Sequence, residues 1–343
     1  MPSPLRPLSG SPADVWAALA RWWDDPDGPV VVRTSGSTGD PKDVLLSPAA
    51  VRYAASAGLE RLGGPGRWVL ALPATNVAGL MVLARSLQSD TEPVVADGPL
   101  AGAIDRLGAG PAYVSIVPTQ LHRLDRDDDL GLLARFDSVL VGGAPVDPAL
   151  LGRARAAGAN VVTTYGASET CGGCVYDGAA LDGVEVRIGS DGRILLRGPV
   201  LFDGYADDPG ATATVLQDGW FRTGDVGRLD DAGRLEVHGR ADDVVHSGGV
   251  TVHLAAVERA VLSHPAVRQA AVTAVDDPEW GSRVVAVVVA AGDPPSVDAL
   301  RDHVAVTLPR AWAPRAVRVA DALPLLPGGK VDRLAVRTLA AGI

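Results

Sequence analysis

Between residues 30 and 166 short β-rich runs alternate with amphipathic helical stretches, and this alternation narrows the fold more than any other feature. The runs cover residues 30–32, 68–72, 93–96, 113–117, 138–141 and 161–165. Between the first two, Ser47-Pro48 predicts a helix start, with Ser as N-cap and Pro in the first turn, and Gly63-Gly64 predicts its end. Residues 77–88 and 147–157 read as further helices. Strand, helix, strand, helix implies an α/β fold with a mostly parallel sheet covered by helices. After Gly166 the texture shifts to Gly, Asp and short alternating strands at 184–188, 193–196 and 234–237. A compact β subdomain over about 180–240 is expected there. A second shift follows Gly239-Arg240-Ala241-Asp242-Asp243, with helices at 253–262 and 297–308 around strands at 266–275 and 284–289. A chain of 343 residues fits two domains. The expected division is a large domain at 1–241 and a small α+β domain at 242–343.

Composition removes several classes of function. The apolar share of 47% suits a chain with a full core. The longest unbroken apolar stretch, 284–291, is eight residues, against the ~20 that span a bilayer. The first residues lack the apolar core of a signal peptide, so a cytosolic protein without a membrane span is expected. A net charge of −10 argues against nucleic acid as partner, since that affinity comes largely from Lys and Arg on phosphates. Small-molecule substrates are expected instead, and a homo-oligomer stays open.

Of 31 basic residues only Lys42 and Lys330 are lysines. A chain that uses Arg almost everywhere places Lys where a compact point charge serves better than a planar fork. Lys42 closes Thr34-Ser35-Gly36-Ser37-Thr38-Gly39-Asp40-Pro41-Lys42, directly after a predicted strand. Two glycines free the backbone to wrap an anion, the hydroxyls add donors and the lysine adds charge. Pro41 before the lysine and Asp43 after it separate this loop from the G-x-x-x-x-G-K-[ST] loop of NTPases.

The same segment resembles the signature of adenylate-forming enzymes, the superfamily of acyl-CoA synthetases, adenylation domains and luciferases. The resemblance continues in order through Val141-Gly-Gly-Ala-Pro145, Tyr165-Gly-Ala-Ser-Glu169, Trp220-Phe-Arg-Thr-Gly-Asp225, Gly239–Asp243 with Ser247-Gly-Gly249, and Pro327-Gly-Gly-Lys330. It implies an adenylate-forming fold with a mobile C-terminal domain, and binding of ATP, Mg²⁺ and coenzyme A. By this resemblance Thr34, Ser35, Gly36, Ser37, Thr38, Gly39 and Lys42 hold phosphate, and Gly142, Gly143 and Ala144 form the adenine-side loop. Tyr165 stacks on the base beside Gly166, and Ser168 donates to the α-phosphate. Asp225 accepts from the ribose with Arg240 nearby, and Glu169 is the Mg²⁺ ligand. Lys330 becomes the catalytic lysine bridging carboxylate and α-phosphate, and Asp242 the hinge. Ser247, Gly248 and Gly249 line the pantetheine tunnel in a second pose.

The short stretch before the phosphate loop, with Val117-Pro-Thr-Gln-Leu-His-Arg123 and Ser168-Glu-Thr-Cys-Gly-Gly-Cys-Val-Tyr-Asp177, resembles one branch in particular, the o-succinylbenzoate–CoA ligases of menaquinone biosynthesis. Thr75, Asn76, Ser115 and Gln120 are the expected polar wall of the acyl site. The branch reading departs from the family at Asn76, where His is common; Asn donates to a carboxylate but carries no proton in catalysis. Asp43 and Val250 replace the frequent Gly and Glu. Another aryl- or acyl-CoA ligase is the nearest alternative, and a nucleotide-binding pseudoenzyme the next, although retention of Lys330 with Glu169 favours a catalyst. Cys171 and Cys174 form a single C-x-x-C with no histidine in the same loop, and read as small residues packed beside the acyl site.

Overall fold

The computed structural model describes residues 10–34, 41–241, 243–326 and 328–342. Its central feature is a seven-stranded sheet in the order Val94–Val95, Arg67–Leu70, Ala112–Ile116, Ser138–Gly142, Val161–Ala167, Gly172–Tyr176, Ala179–Ala180. The first five strands run parallel, and each of the last two is antiparallel to the strand before it. Successive residues leave opposite faces of a strand, so each strand feeds two cores. Trp68, Leu70, Tyr113 and Leu140 pack into one apolar cluster, and Val69, Val114, Val139 and Val141 into the other. The helix Pro48–Leu62 begins on Ser47, whose hydroxyl accepts from Ala50 N–H, and ends at Gly63 with φ 101°. Both signals were legible in the sequence. The helix Val77–Gln88 also falls on its expected span.

One expectation needs correcting. The run at 30–32 is not part of the parallel sheet. The strand Val30–Arg33 pairs antiparallel with Asp43–Leu46, and Gly204–Tyr205 completes a separate three-stranded sheet. The reason is local: Thr34 and Lys42 clasp the base of the intervening loop. Thr34 N–H donates to the Lys42 carbonyl at 2.8 Å, and Lys42 N–H donates to Thr34 Oγ1 at 2.8 Å. A hairpin closed in this way leaves no crossover helix with which to enter a parallel sheet.

The β-rich region forms a five-stranded antiparallel sheet from Glu185–Ile188, Arg193–Arg197, Leu216–Gln217, Trp220–Leu229 and Leu235–Arg240. Beyond it, Val244–Ser247, Val250–His253, Val267–Asp277, Gly281–Ala290 and Ala316–Val319 make a last sheet. Its long hairpin, Val267–Asp277 with Gly281–Ala290, buries one face under the helices Leu254–Leu262 and Val297–Val304 and the other under Arg333–Ala341. The helices Pro12–Asp24, Pro118–Arg126 and Arg333–Ala341 were not anticipated. No helix among the described residues is long and apolar enough to cross a membrane.

Candidate active site

The spatial order of the parallel strands reverses beside Arg67–Leu70: the chain goes from there to one neighbour, Val94–Val95, and then to the other, Ala112–Ile116. Ligands of open α/β sheets bind outside the carboxyl ends of strands at such a reversal. A cavity of about 350 Å³ opens there. Its walls come from the carboxyl ends of four neighbouring strands and the segments after them: Leu72, Pro73, Thr75 and Asn76, then Val117, Gly142 with Gly143, and Gly166 with Ser168. Lys330 enters from the C-terminal part of the chain.

Thr75, Asn76, Ser115, Gly142, Gly143, Gly166, Ser168 and Lys330 therefore meet in one cavity, as expected. Gln120 does not belong with them. Its Oε1 accepts from Val117 N–H at 3.0 Å and its Nε2 donates to the Ala71 carbonyl at 2.8 Å, so the amide pins two strand ends rather than facing a substrate. Ala144 is exposed and outside the cavity wall. Ser35, Gly36, Ser37, Thr38, Gly39 and Asp242 lie outside the described residues.

The glycines serve the protein's own packing as much as any ligand. A Cβ on Gly166 would meet the Gly172 carbonyl oxygen at 1.9 Å, at a register shift between adjacent strands. One on Gly142 would meet Thr164 Oγ1 at 2.2 Å.

Tyr165, Glu169, Asp225, Arg240 and Lys42 lie off the cavity wall, where they form networks of their own. Tyr165 donates its hydroxyl to Asp225 Oδ2 at 2.9 Å, and Asp225 stands opposite Arg240 in the strand pairing. Burial and the Asp225 carboxylate push the Tyr165 phenol well above its ordinary range, so it stays a donor. Tyr205 donates to Glu169 Oε1 at 2.8 Å while Lys42 Nζ sits 4.5 Å from the centre of its ring. Tyr205 thus joins the lysine of the loop to the acidic residue expected at the metal. A carboxylate held in this way suits Mg²⁺, which takes hard oxygen ligands and keeps most of its waters. Among the described residues no cluster of three or more His, Cys, Asp or Glu could enclose a metal by itself, so phosphate oxygens would have to complete the shell.

Burial lowers the pKa of Lys330 from its ordinary range, by making the ammonium costlier to hold. A second cation is deeper still. Arg85 is 3% exposed, donates from Nη2 to the Tyr176 hydroxyl at 3.0 Å and stacks over Trp68, 5.1 Å from its ring centre. Its Nε has no hydrogen-bond partner. Among the described residues no carboxylate pairs with it, and its side chain lines the cavity. Sequence reading missed Arg85, although an arginine inside Gly79-Leu-Met-Val-Leu-Ala-Arg85-Ser86, a run buried on every side, was a visible anomaly. Tyr176 and Thr119 lay within the quoted segments but were given no role, and Tyr205 was not singled out at all.

Cys171 and Cys174 are fully buried in the main core, flanking the cavity-lining Gly172 and Gly173. Burial pushes the Cys174 thiol up to about 12 and that of Cys171 higher, which keeps both in the unreactive thiol form. Ser247-Gly248-Gly249 is away from the cavity wall. It turns the hairpin of Val244–Ser247 with Val250–His253, with φ of 57° and 77° at the two glycines, as a two-residue hairpin turn requires.

Comparison with known proteins agrees with this geometry. The chain belongs to the AMP-binding enzymes: the AMP-binding enzyme model matches residues 9–206, and the AMP-binding enzyme C-terminal domain matches 256–330. It is 46% identical over 331 residues to a probable 2-succinylbenzoate–CoA ligase of Mycobacterium tuberculosis, covering 93% of this chain and 86% of that protein. Among solved structures it resembles the o-succinylbenzoate CoA synthetase (MenE) of Bacillus subtilis in complex with the acyl-adenylate OSB-AMP. The TM-score there is 0.78 at 30% identity, over 90% of this chain and 68% of the other. The same enzyme has been solved with ATP and a magnesium ion. The amide bond synthetase McbA of Marinactinospora thermotolerans matches with a TM-score of 0.81 at 31% identity, over 91% and 70% of the two chains.

Proposed function

We propose that this chain is a 2-succinylbenzoate–CoA ligase acting in menaquinone biosynthesis. It joins the succinyl carboxylate of 2-succinylbenzoate to coenzyme A through an acyl-adenylate, releasing pyrophosphate and AMP. The observation that carries the substrate assignment is Arg85. An unpaired guanidinium is costly to bury, and a cavity that retains one calls for an anion. Asn76 precedes the helix that carries Arg85, nine residues earlier. At 1.5 Å per residue the two Cα atoms stand about 13 Å apart along the helix. A long helical side chain leans back toward the N-terminus, which brings the guanidinium closer to the end where Asn76 stands, and both residues line the cavity with Lys330. A dicarboxylic acid meets both cations: the carboxylate to be activated lies by Lys330, and the ring carboxylate lies by Arg85.

In the first step a carboxylate oxygen attacks the α-phosphorus as the bond to pyrophosphate breaks, and pyrophosphate leaves with the electron pair. Charge gathers on the α-phosphate oxygens, where Lys330 and the Ser168 hydroxyl stabilise it. Tyr165 and Asp225 hold the adenosine, and Lys42 faces the other phosphates. Glu169 would hold Mg²⁺ together with phosphate oxygens, and the ion would neutralise charge on the nucleotide. In the second step the thiol of coenzyme A loses its proton and its sulfur attacks the acyl carbon, expelling AMP. The division at 241/242, with Asp242 as hinge, lets residues 242–343 withdraw Lys330 and bring Ser247-Gly248-Gly249 to the tunnel for that step. A cytosolic setting suits a reaction that consumes ATP and coenzyme A.

Lys330→Ala tests the reading. It should slow pyrophosphate release from acid plus ATP by ~10²–10³, the scale of one lost preorganised donor. It should leave conversion of supplied acyl-adenylate and coenzyme A to thioester running. Equal loss in both assays would contradict the assignment of Lys330 to the first step.

A further inference from the structure

We infer that Thr119 is a positioning residue that latches the Lys330 loop in the adenylation pose. The inference rests on the two-step reading above and adds to it the contact that sets the pose. Bonds within the loop tie its described residues together. Leu325 bridges to Val331, Leu326 N–H donates to the Lys330 carbonyl and Gly329 N–H to the Leu326 carbonyl, each at 2.8 Å for the latter two, and Gly329 has φ 77°. Such a hairpin moves as one piece, so fixing any point of it fixes Lys330.

The fixed point is Gly329. Thr119 Oγ1 donates to its carbonyl at 2.6 Å, joining residues 210 apart in the chain. Thr119 stands in the first turn of the helix Pro118–Arg126, at the carboxyl end of Ala112–Ile116 and beside the strand-order reversal. Two close approaches shape the seat of the loop. A Cβ on Gly328 would meet Asn76 Nδ2 at 2.7 Å, and one on Gly143 would meet Lys330 Cε at 3.0 Å. A hydroxyl donating to a backbone carbonyl supplies direction and a modest, breakable attraction. That strength suits a contact that must be made for one step and released for the next. The site also explains Asn76 in a second way: its amide lies against Gly328, so it shapes the docking surface as well as the cavity.

The test uses the full chain and both half-reactions. Thr119→Val keeps the shape and removes the donor; Thr119→Ser keeps the donor. Thr119→Val should slow adenylation in single turnover by ~5–10-fold, the worth of one ordinary hydrogen bond. The loss should be confined to adenylation, while thioester formation from supplied acyl-adenylate keeps its rate or gains as the latched pose is depopulated. Thr119→Ser should recover most of the loss. Equal slowing of both half-reactions by Thr119→Val, or adenylation at the wild-type rate, would overturn the latch. Lys330→Ala serves as the control that separates the two ideas. If it shows the half-reaction split and Thr119→Val does not, the latch alone fails; if neither shows it, the two-step reading fails with it.

Discussion

Arg85 carries a full charge into a wall of apolar side chains, and its only hydrogen-bonding neighbour among the described residues is the Tyr176 phenol, itself buried. Replacing it with Gln keeps a donor for Tyr176 and removes the charge. If Arg85 receives the second carboxylate, Arg85→Gln should lower kcat/KM for 2-succinylbenzoate by ~10–100-fold, the range of a charge-assisted hydrogen bond. Turnover of a monocarboxylic aryl acid should change little. Comparing the two acids on both proteins checks this, and a uniform drop would point to a packing role instead. At this scale the residues whose chemistry is read from type and neighbours were legible: Lys330, Ser168 and Asn76 all reach the cavity. Gln120 was not, because its amide is consumed in bonds that only the folded strand ends create. Tyr205 and Thr119 were invisible for the same reason, since their partners lie 36 and 210 residues away.

Elements were legible where a local signal starts or stops them. Ser47 and Gly63 bound the helix between them through a side-chain cap and a left-handed residue, both of which are properties of a few consecutive residues. The run at 30–32 misled because a strand carries no mark of which sheet it will join; its partner was decided by a hairpin clasp at Thr34 and Lys42. The turn at Gly248-Gly249 offers a test of the same idea. Both positions have positive φ, but a Cβ on Gly248 would meet the Trp280 ring at 2.6 Å, whereas nothing among the described residues lies within 4 Å of one on Gly249. Trp280 is backed by the Arg315 guanidinium stacked 3.4 Å from its centre, so the ring has little freedom to yield. Gly249→Ala should cost about 1 kcal/mol of stability from backbone conformation alone. Gly248→Ala should cost roughly 2–3 kcal/mol by adding the clash. Denaturant melts of the two variants check the difference, and equal costs would show that the ring moves aside.

Over the whole molecule, charge and periodicity indicated an acidic α/β protein for small substrates, and the ordered motifs indicated adenylate chemistry. The meeting of Lys330 with Gly143 and Ser168 in one cavity depends on how the C-terminal segment docks, which no local pattern contains. Selection of a dicarboxylic acid by two cations in one cavity is a claim beyond ATP binding. Carboxylate-dependent exchange of pyrophosphate into ATP, run on the wild-type chain with a panel of acids, tests that claim without requiring coenzyme A. Exchange should be strongest with 2-succinylbenzoate and weak with benzoate, medium-chain fatty acids and amino acids. Stronger exchange with a fatty acid or benzoate would contradict the assignment of the substrate, and no exchange with any acid would contradict catalysis itself.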